Sequence, residues 1–217
     1  MKAKILLPIL MPLLLLAVPG ETAVQDLKPV SLMQFQSDTG RPLLHVLKER
    51  KSSRAFSPRN LPKRVLSNLL WAANGINRPA SGGRTAPSAM NQHEIDIYVA
   101  TAEGLYLFDA KGRQLRPVLK QDIRVLTGVQ AYVQDAPVNL IFVADFSRMS
   151  RTPAQDRDLY AGANTGFISQ NIYLYCASEG LATVVRGSID REALADAMKL
   201  GPEQKIILAQ SVGYPKK

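Results

Sequence analysis

The order of elements in this 217-residue chain predicts an α+β fold, with a central mixed or antiparallel sheet flanked by helices. Three observations carry that expectation. Ile95-Asp96-Ile97-Tyr98-Val99 alternates as a strand does, and Glu103-Gly104 turns it into Leu105-Tyr106-Leu107-Phe108, the pattern of a hairpin. Residues 138–144 form a nearly unbroken apolar run, the mark of a strand in the core of a sheet. Residues 155–179 place Tyr160, Ala163, Phe167, Ile168, Ile172, Tyr175 and Cys176 at three- and four-residue steps before Gly180, which reads as one long helix. Apolar residues wrap much of its circumference, so it is expected to be buried on more than one side, at a subunit interface as well as in the core.

The remaining elements follow in order. Lys2 and Lys4 precede an apolar run over residues 5–18 that ends in Val18-Pro19-Gly20, the layout of a secretory leader. The run is too short for a membrane span and is broken by Pro8 and Pro12. Residues 1–20 are therefore expected to be cleaved, leaving an exported protein in the periplasm or outside the cell. Residues 21–40 are expected to form an extended arm, and residues 41–217 a single domain. Leu43, Leu44 and Leu47 share one face of a first helix over 42–50. Pro62 opens a second, with Leu66, Leu69, Leu70 and Ala73 on one side, Trp71 packed there and Asn74-Gly75 as its stop. A loop spans 77–91, Lys111-Gly112 marks a turn, and short amphipathic pieces fill 122–134. A strand over 181–185, a helix over 190–200 capped by Gly201-Pro202 and a strand over 206–212 complete the chain.

Lys and Arg number 27 against 18 acids; the leader takes two lysines and no acid, leaving 25 basic residues, a net +7. This excess is spread along the chain and has few interleaved aromatics, which argues against a nucleic-acid groove and for an anionic small molecule or acidic surface. The single cysteine, Cys176, leaves no disulfide framework and no metal set, and is expected to be buried and inert.

Arg50-Lys51-Ser52-Ser53-Arg54 concentrates three cations and two hydroxyls where the first helix ends. One cation suffices to relieve the helix carbonyls. A phosphate would use the others, through paired guanidinium hydrogen bonds and serine hydroxyls. Taken alone, the segment also fits a solvated basic turn.

Five motifs in order resemble the FMN-dependent nitroreductase family, most closely the branch that includes azoline dehydrogenases. They are residues 50–56, Leu69-Leu70-Trp71-Ala72-Ala73-Asn74-Gly75-Ile76-Asn77, Arg84-Thr85-Ala86-Pro87-Ser88-Ala89-Met90-Asn91, the long helix over 166–180 with its Gln170-Asn171 pair, and Val212-Gly213-Tyr214-Pro215. The likeness runs from about residue 43 to the end. It implies a homodimer with FMN between the subunits and the long helix at the interface. By resemblance, Arg50, Lys51 and Ser52 hold the phosphate and Arg54 reaches the pyrimidine edge. Pro87, Ser88 and Asn91 come from the partner chain, and Val185, Arg186 and Gly187 lie beside the reactive N5. Lys216-Lys217 stands in part for a basic clamp that relatives carry after the last strand. The Lys-Tyr pair of azoline dehydrogenases has no counterpart in residues 151–159, so azole formation on a peptide is not implied.

The implied activity is ping-pong electron transfer through flavin N5 to an oxidised acceptor such as a nitroaromatic or quinone, which asks little acid–base machinery of the protein. His45 and His93 stand beside no carboxylate or serine motif and are expected to be surface or packing residues. Export leaves the electron donor open, with a membrane or periplasmic redox partner in place of a nicotinamide. Two other classes stay in view: a flavin-binding protein without turnover, and a basic surface adaptor.

Overall fold

The computed structural model describes residues 27–36 and 40–216; the expected leader lies outside them, as does Lys217. In chain order the strands are β1 (Val30–Ser31), β2 (Ile76–Arg78), β3 (Gly83–Arg84), β4 (Ile95–Ala100), β5 (Leu105–Asp109), β6 (Gln114–Leu119), β7 (Val138–Asp145), β8 (Ala182–Arg186) and β9 (Gln204–Gly213). The helices are α1 (Leu43–Glu49), α2 (Lys63–Asn74), α3 (Arg157–Glu179) and α4 (Arg191–Met198). Seven strands form one sheet in the order β1-β6-β5-β4-β7-β9-β8, antiparallel at every pairing. The α+β expectation holds, and the sheet is antiparallel rather than mixed.

Both faces of the sheet are covered, which explains the unbroken apolar run in β7. Leu140, Phe142 and Ala144 join Ile95, Ile97 and Val99 of β4 beneath Leu69, Leu70 and Ala73 of α2 and Ile168, Ile172 and Cys176 of α3. Ile141 and Val143 face the other way with Tyr98 and Ala100, toward Ile123 and toward Leu194 and Met198 of α4. Each fully buried Leu, Ile or Phe contributes roughly 1.5–3 kcal/mol relative to exposure.

Five local expectations change. The loop over 77–91 contains the β2–β3 hairpin and a 3-10 turn at Ala89–Asn91. Strand β6 escaped notice because Pro117 interrupts its pattern; it sits opposite Tyr106 beside a register shift. The arm contributes β1, paired with β6 at the sheet edge. Helix α4 ends at Lys199, in left-handed conformation at φ 54°, before Gly201 is reached. Trp71 packs away from the α2–α3 core and stacks on Phe35 of the arm, with centroids 3.7 Å apart.

Helix α3 buries half its circumference, from Asn164 at one margin through Ile168 and Ile172 to Tyr173 at the other. Its remaining face is not wet in composition: Leu159 is 70% and Phe167 47% exposed. The Leu43, Leu44 and Leu47 face of α1 is uncovered too, and only Val46 of that helix is buried.

At the end of β9, a Cβ on Gly213 would lie 2.6 Å from Cδ of Pro137. A proline ring cannot swing aside, so Gly213→Ala is expected to destabilise the fold by roughly 1–3 kcal/mol. Denaturant titration of the two proteins measures it.

Candidate functional site

The basic turn is held at three points. Its first residue closes α1, Arg50 N–H donating to Val46 O at 2.9 Å. Ser53 N–H then donates to Thr183 O of β8 at 2.9 Å, and Ser57 N–H to Tyr214 O at 2.8 Å. Phe56, 2% exposed, plugs the turn into Ala136, Ala182 and Val184. The chain end runs alongside, where Phe56 bridges Pro215 and Lys216 N–H donates to Ala55 O at 3.2 Å. The Lys216 backbone is thereby fixed beside Ala55.

The structure gathers this end of the site around Tyr173, which the sequence reading did not single out. Its hydroxyl lies 2.8 Å from Ser52 Oγ and accepts from Val185 N–H at 3.0 Å. The Arg50 guanidinium sits 5.3 Å from the ring centroid, a cation–π distance. Arg50, Ser52 and Val185 thus converge on one side chain. Lys51, Ser53, Tyr173 and Thr183 line a cavity of about 530 Å³ together with Lys48, Glu49 and Pro215. Glu49 is the one acid in that wall, and Arg41 grips it with both guanidinium nitrogens, holding its carboxyl below the usual range. The cavity wall therefore keeps its positive character. Lys51 and Arg54 are exposed.

The second predicted cluster lies elsewhere. Pro87 and Asn91 are exposed, while the Ser88 hydroxyl turns inward. It donates to Glu94 Oε2 at 3.1 Å and accepts from His93 N–H at 2.9 Å. Glu94 is fully buried and also accepts from Asn164 Nδ2 at 2.6 Å, while Asn164 Oδ1 accepts from Ala89 N–H. Arg148 donates to the carbonyls of His93 and Glu94. These contacts hold Met90, Asn91 and His93 in left-handed conformation, φ 49–53°, which costs non-glycine residues energy and persists only where neighbours enforce it. Ser88 is accordingly a loop-shaping residue, and Pro87 and Asn91 are the groups the loop presents outward.

Asn164 and Tyr173 are nine residues apart on α3, which is about 14 Å along the axis and half a turn around it. The two clusters of one chain therefore flank α3 and do not face one pocket.

The Arg186 side chain turns away from the Tyr173 side of β8. Strand alternation puts it on the face opposite Thr183 and Val185. It is 6% exposed and donates to Thr127 O at 3.1 Å, Thr127 Oγ1 at 2.7 Å, Ser211 Oγ at 2.7 Å and Asn139 Oδ1 at 3.0 Å. Burial without a carboxylate brings its pKa down to about 10. What β8 offers the Tyr173 side is Val185 and the exposed backbone of Gly187.

Cys176 is fully buried, and desolvation pushes its thiol well above the usual range. His93 is half-buried and His45 exposed. Among the described residues no group of three metal-ligating side chains occurs, and no helix is long and apolar enough to cross a membrane.

An antiparallel α+β sheet with a cationic turn against its edge strand and a long, half-bare helix defines the nitroreductase class of folds. The chain belongs to the Nitroreductase family, whose sequence pattern matches residues 47–214. A nitroreductase-like protein of Ralstonia eutropha JMP134, solved by crystallography, is 42% identical with a TM-score of 0.84 over 87% of this chain and 90% of its own. The nitroreductase-like protein MJ1384 of Methanocaldococcus jannaschii is 28% identical over 71% of this chain and 83% of its length. The E. coli microcin synthetase McbBCD complex contains a chain 20% identical with a TM-score of 0.70, covering 86% of this chain and 75% of that one, a likeness of fold alone. The azoline dehydrogenase branch is therefore not assigned; the family is.

Two outcomes follow from the geometry. Tyr173→Phe leaves the Val185 N–H without its acceptor, so it is expected to cost about 1–3 kcal/mol in denaturant unfolding. Burial, reinforced by Arg84, depresses the His93 pKa below its ordinary 6.5. The folded state thus favours the neutral ring, and that stability is present above pH 6.5 and lost as pH falls below it. His93→Asn, which tolerates the left-handed backbone, should show a smaller fall in thermal midpoint between about pH 7 and pH 5 than the parent.

Proposed function

We propose that this protein is an exported FMN-dependent oxidoreductase, working as a homodimer and passing electrons to an oxidised acceptor of nitroaromatic or quinone type. The observation that carries the reading is the anchored turn: Arg50 and Ser52 meet at Tyr173 beside a cavity with cationic walls. Family members generally use flavin, and the donor set suits its phosphate. Arg50 and Lys51 supply charge, Ser52 a hydroxyl, and Lys216 a further cation from the chain end. When bound, FMN would supply two-electron chemistry at N5, so that one pocket could serve donor and acceptor in turn. Arg54, exposed at the end of the turn, would be the cation offered to the pyrimidine edge, where positive charge favours the reduced ring.

A second copy completes the site. The loop bearing Pro87 and Asn91 is half a turn of α3 away from Tyr173, so contact with the same flavin requires the partner's loop. Leu159 and Phe167 of α3 and Leu43, Leu44 and Leu47 of α1 give that partner an apolar surface to cover. Residues 1–20 direct export, and the mature protein acquires FMN outside the cytoplasm.

Titrating the purified mature protein with FMN and following the flavin absorption band tests the reading. Saturable uptake is expected, and Arg50→Ala should weaken it roughly ten- to a hundredfold, the loss of a charge-assisted contact of about 1.5–3 kcal/mol. A parent that takes up no FMN, or an Arg50→Ala protein with an unchanged dissociation constant, overturns it.

A further inference from the structure

We propose that a second cavity, at the opposite edge of the sheet from the basic turn, binds a small aryl carboxylate. The cavity encloses about 410 Å³, within the range of small-molecule sites. It lies under the N-terminal arm, between the end of α2 and the β5–β6 turn. Its apolar wall is made by Trp71, Phe35, Leu32, Ile76 and Phe108, and its rim carries Lys111 and Arg113.

The arm forms this wall in a fixed way. Val30 pairs with Leu115, Leu32 N–H donates to Arg113 O at 2.8 Å, and Met33 N–H donates to Ser67 Oγ at 2.9 Å. Phe35 then stacks on Trp71 with rings only 10° from parallel. The polar groups of the interior are already committed. Ser67 Oγ donates to Lys63 O while accepting from the arm, and the Trp71 indole N–H donates to Ile76 O at 3.3 Å. The interior therefore offers carbon surface and aromatic faces and asks for no hydrogen bond.

The rim is different. Lys111 and Arg113 are both exposed, and among the described residues neither side chain has an acidic partner, nor is any lining residue Asp or Glu. Arg113 sits in left-handed conformation at φ 48°, in the same tight turn as Lys111, and both line the cavity. An apolar interior under a cationic rim, with the nearby Asp109 carboxylate held by Gly112 and Gln114 of its own turn, is complementary to a ligand with an aromatic body and one anionic end. The body leaves water, and the carboxylate stays at the mouth, where burial does not penalise its charge. A bare phosphate would waste the walls, and a neutral arene would waste the rim. None of the residues assigned to FMN lines this cavity, so the inference does not rest on the flavin reading.

Trp71 is the sole tryptophan of the chain, so its fluorescence reports on this cavity directly. The probes are 3-phenylpropionate and its uncharged counterpart 3-phenylpropan-1-ol, both transparent where tryptophan alone is excited. The acid is expected to give a saturable change in Trp71 emission and the alcohol to bind about tenfold or more weakly. Lys111→Gln with Arg113→Gln, both on exposed side chains, should lower affinity for the acid about tenfold and leave the alcohol unchanged. Raising salt from about 0.01 M to about 1 M should weaken the acid alone, as the screening length shrinks from about 30 Å to about 3 Å. Arg50→Ala should titrate like the parent. No saturable change, equal affinity for acid and alcohol, indifference to the rim substitutions, or loss of binding in Arg50→Ala would each overturn the proposal.

Discussion

The Tyr173 hydroxyl is the point on which the cationic end of the site depends. A tyrosine at the margin of a buried helical stripe must find partners for its hydroxyl, because an unpaired one costs free energy in a low-dielectric interior. Here the partners are Ser52 and the Val185 N–H, so one side chain ties α3 to the basic turn and to β8 at once. The ring also lies under the Arg50 guanidinium, which spares that cation a carboxylate partner and leaves its charge available. The turn is then fixed in position by hydrogen bonds that consume its backbone and not its charges. Such an arrangement suits recognition of an anion, since the ligand need not order the groups that bind it.

Helix α3 imposes the second constraint. Its buried half-cylinder runs from Asn164 to Tyr173, and each margin organises one cluster: Glu94 with the loop over 87–91, and Ser52 with Val185. A straight helix cannot bring its two margins together. A ligand touching both clusters through one copy of α3 would have to wrap half the helix, and two copies facing each other would bury the apolar face between the margins. The long helix, its uncovered leucine and phenylalanine, and the separation of the two loops are thus consequences of one helical geometry.

Much of this was legible in the residues, and the failures have physical causes. The apolar run of β7, the alternation of β4 and the Pro62 start of α2 are local signals, and each element formed where its pattern placed it. The cationic turn was visible as a cluster of charges and hydroxyls at a helix end, but alone it also fitted a solvated turn, and only the motifs that follow it in order singled it out. Tyr173 was not, because a tyrosine at core spacing looks like any other apolar residue until its hydroxyl partners, more than a hundred residues away for Ser52, are known. Glu94 was hidden for the converse reason: a carboxylate opening a strand reads as solvated, and only the fold supplies Ser88 and Asn164 to bury it. Arg186 misled because a charge at a strand end commonly faces water. Thr127, Asn139 and Ser211, distant in sequence, make an interior that accepts it.

The arginines divide into two populations, and that division matters more than the formal net charge. Arg41, Arg124 and Arg148 pair with carboxylates, Arg84 and Arg186 donate to carbonyls or hydroxyls inside the fold, and the exposed Arg191 donates to the carbonyls of Ile206 and Ile207. These cations build structure and contribute little to what a ligand meets outside. Lys51 of the basic turn and Lys111 and Arg113 at the opposite sheet edge line cavities, and Arg50 and Arg54 share the turn of Lys51, with their charges uncommitted to any acid among the described residues. Among the described residues, cations free of an acid gather at a cavity in two places. One is framed by hydroxyls and a phenol, the other by carbon and indole, so the same sign of charge is expected to select a phosphate at the first and an apolar acid at the second.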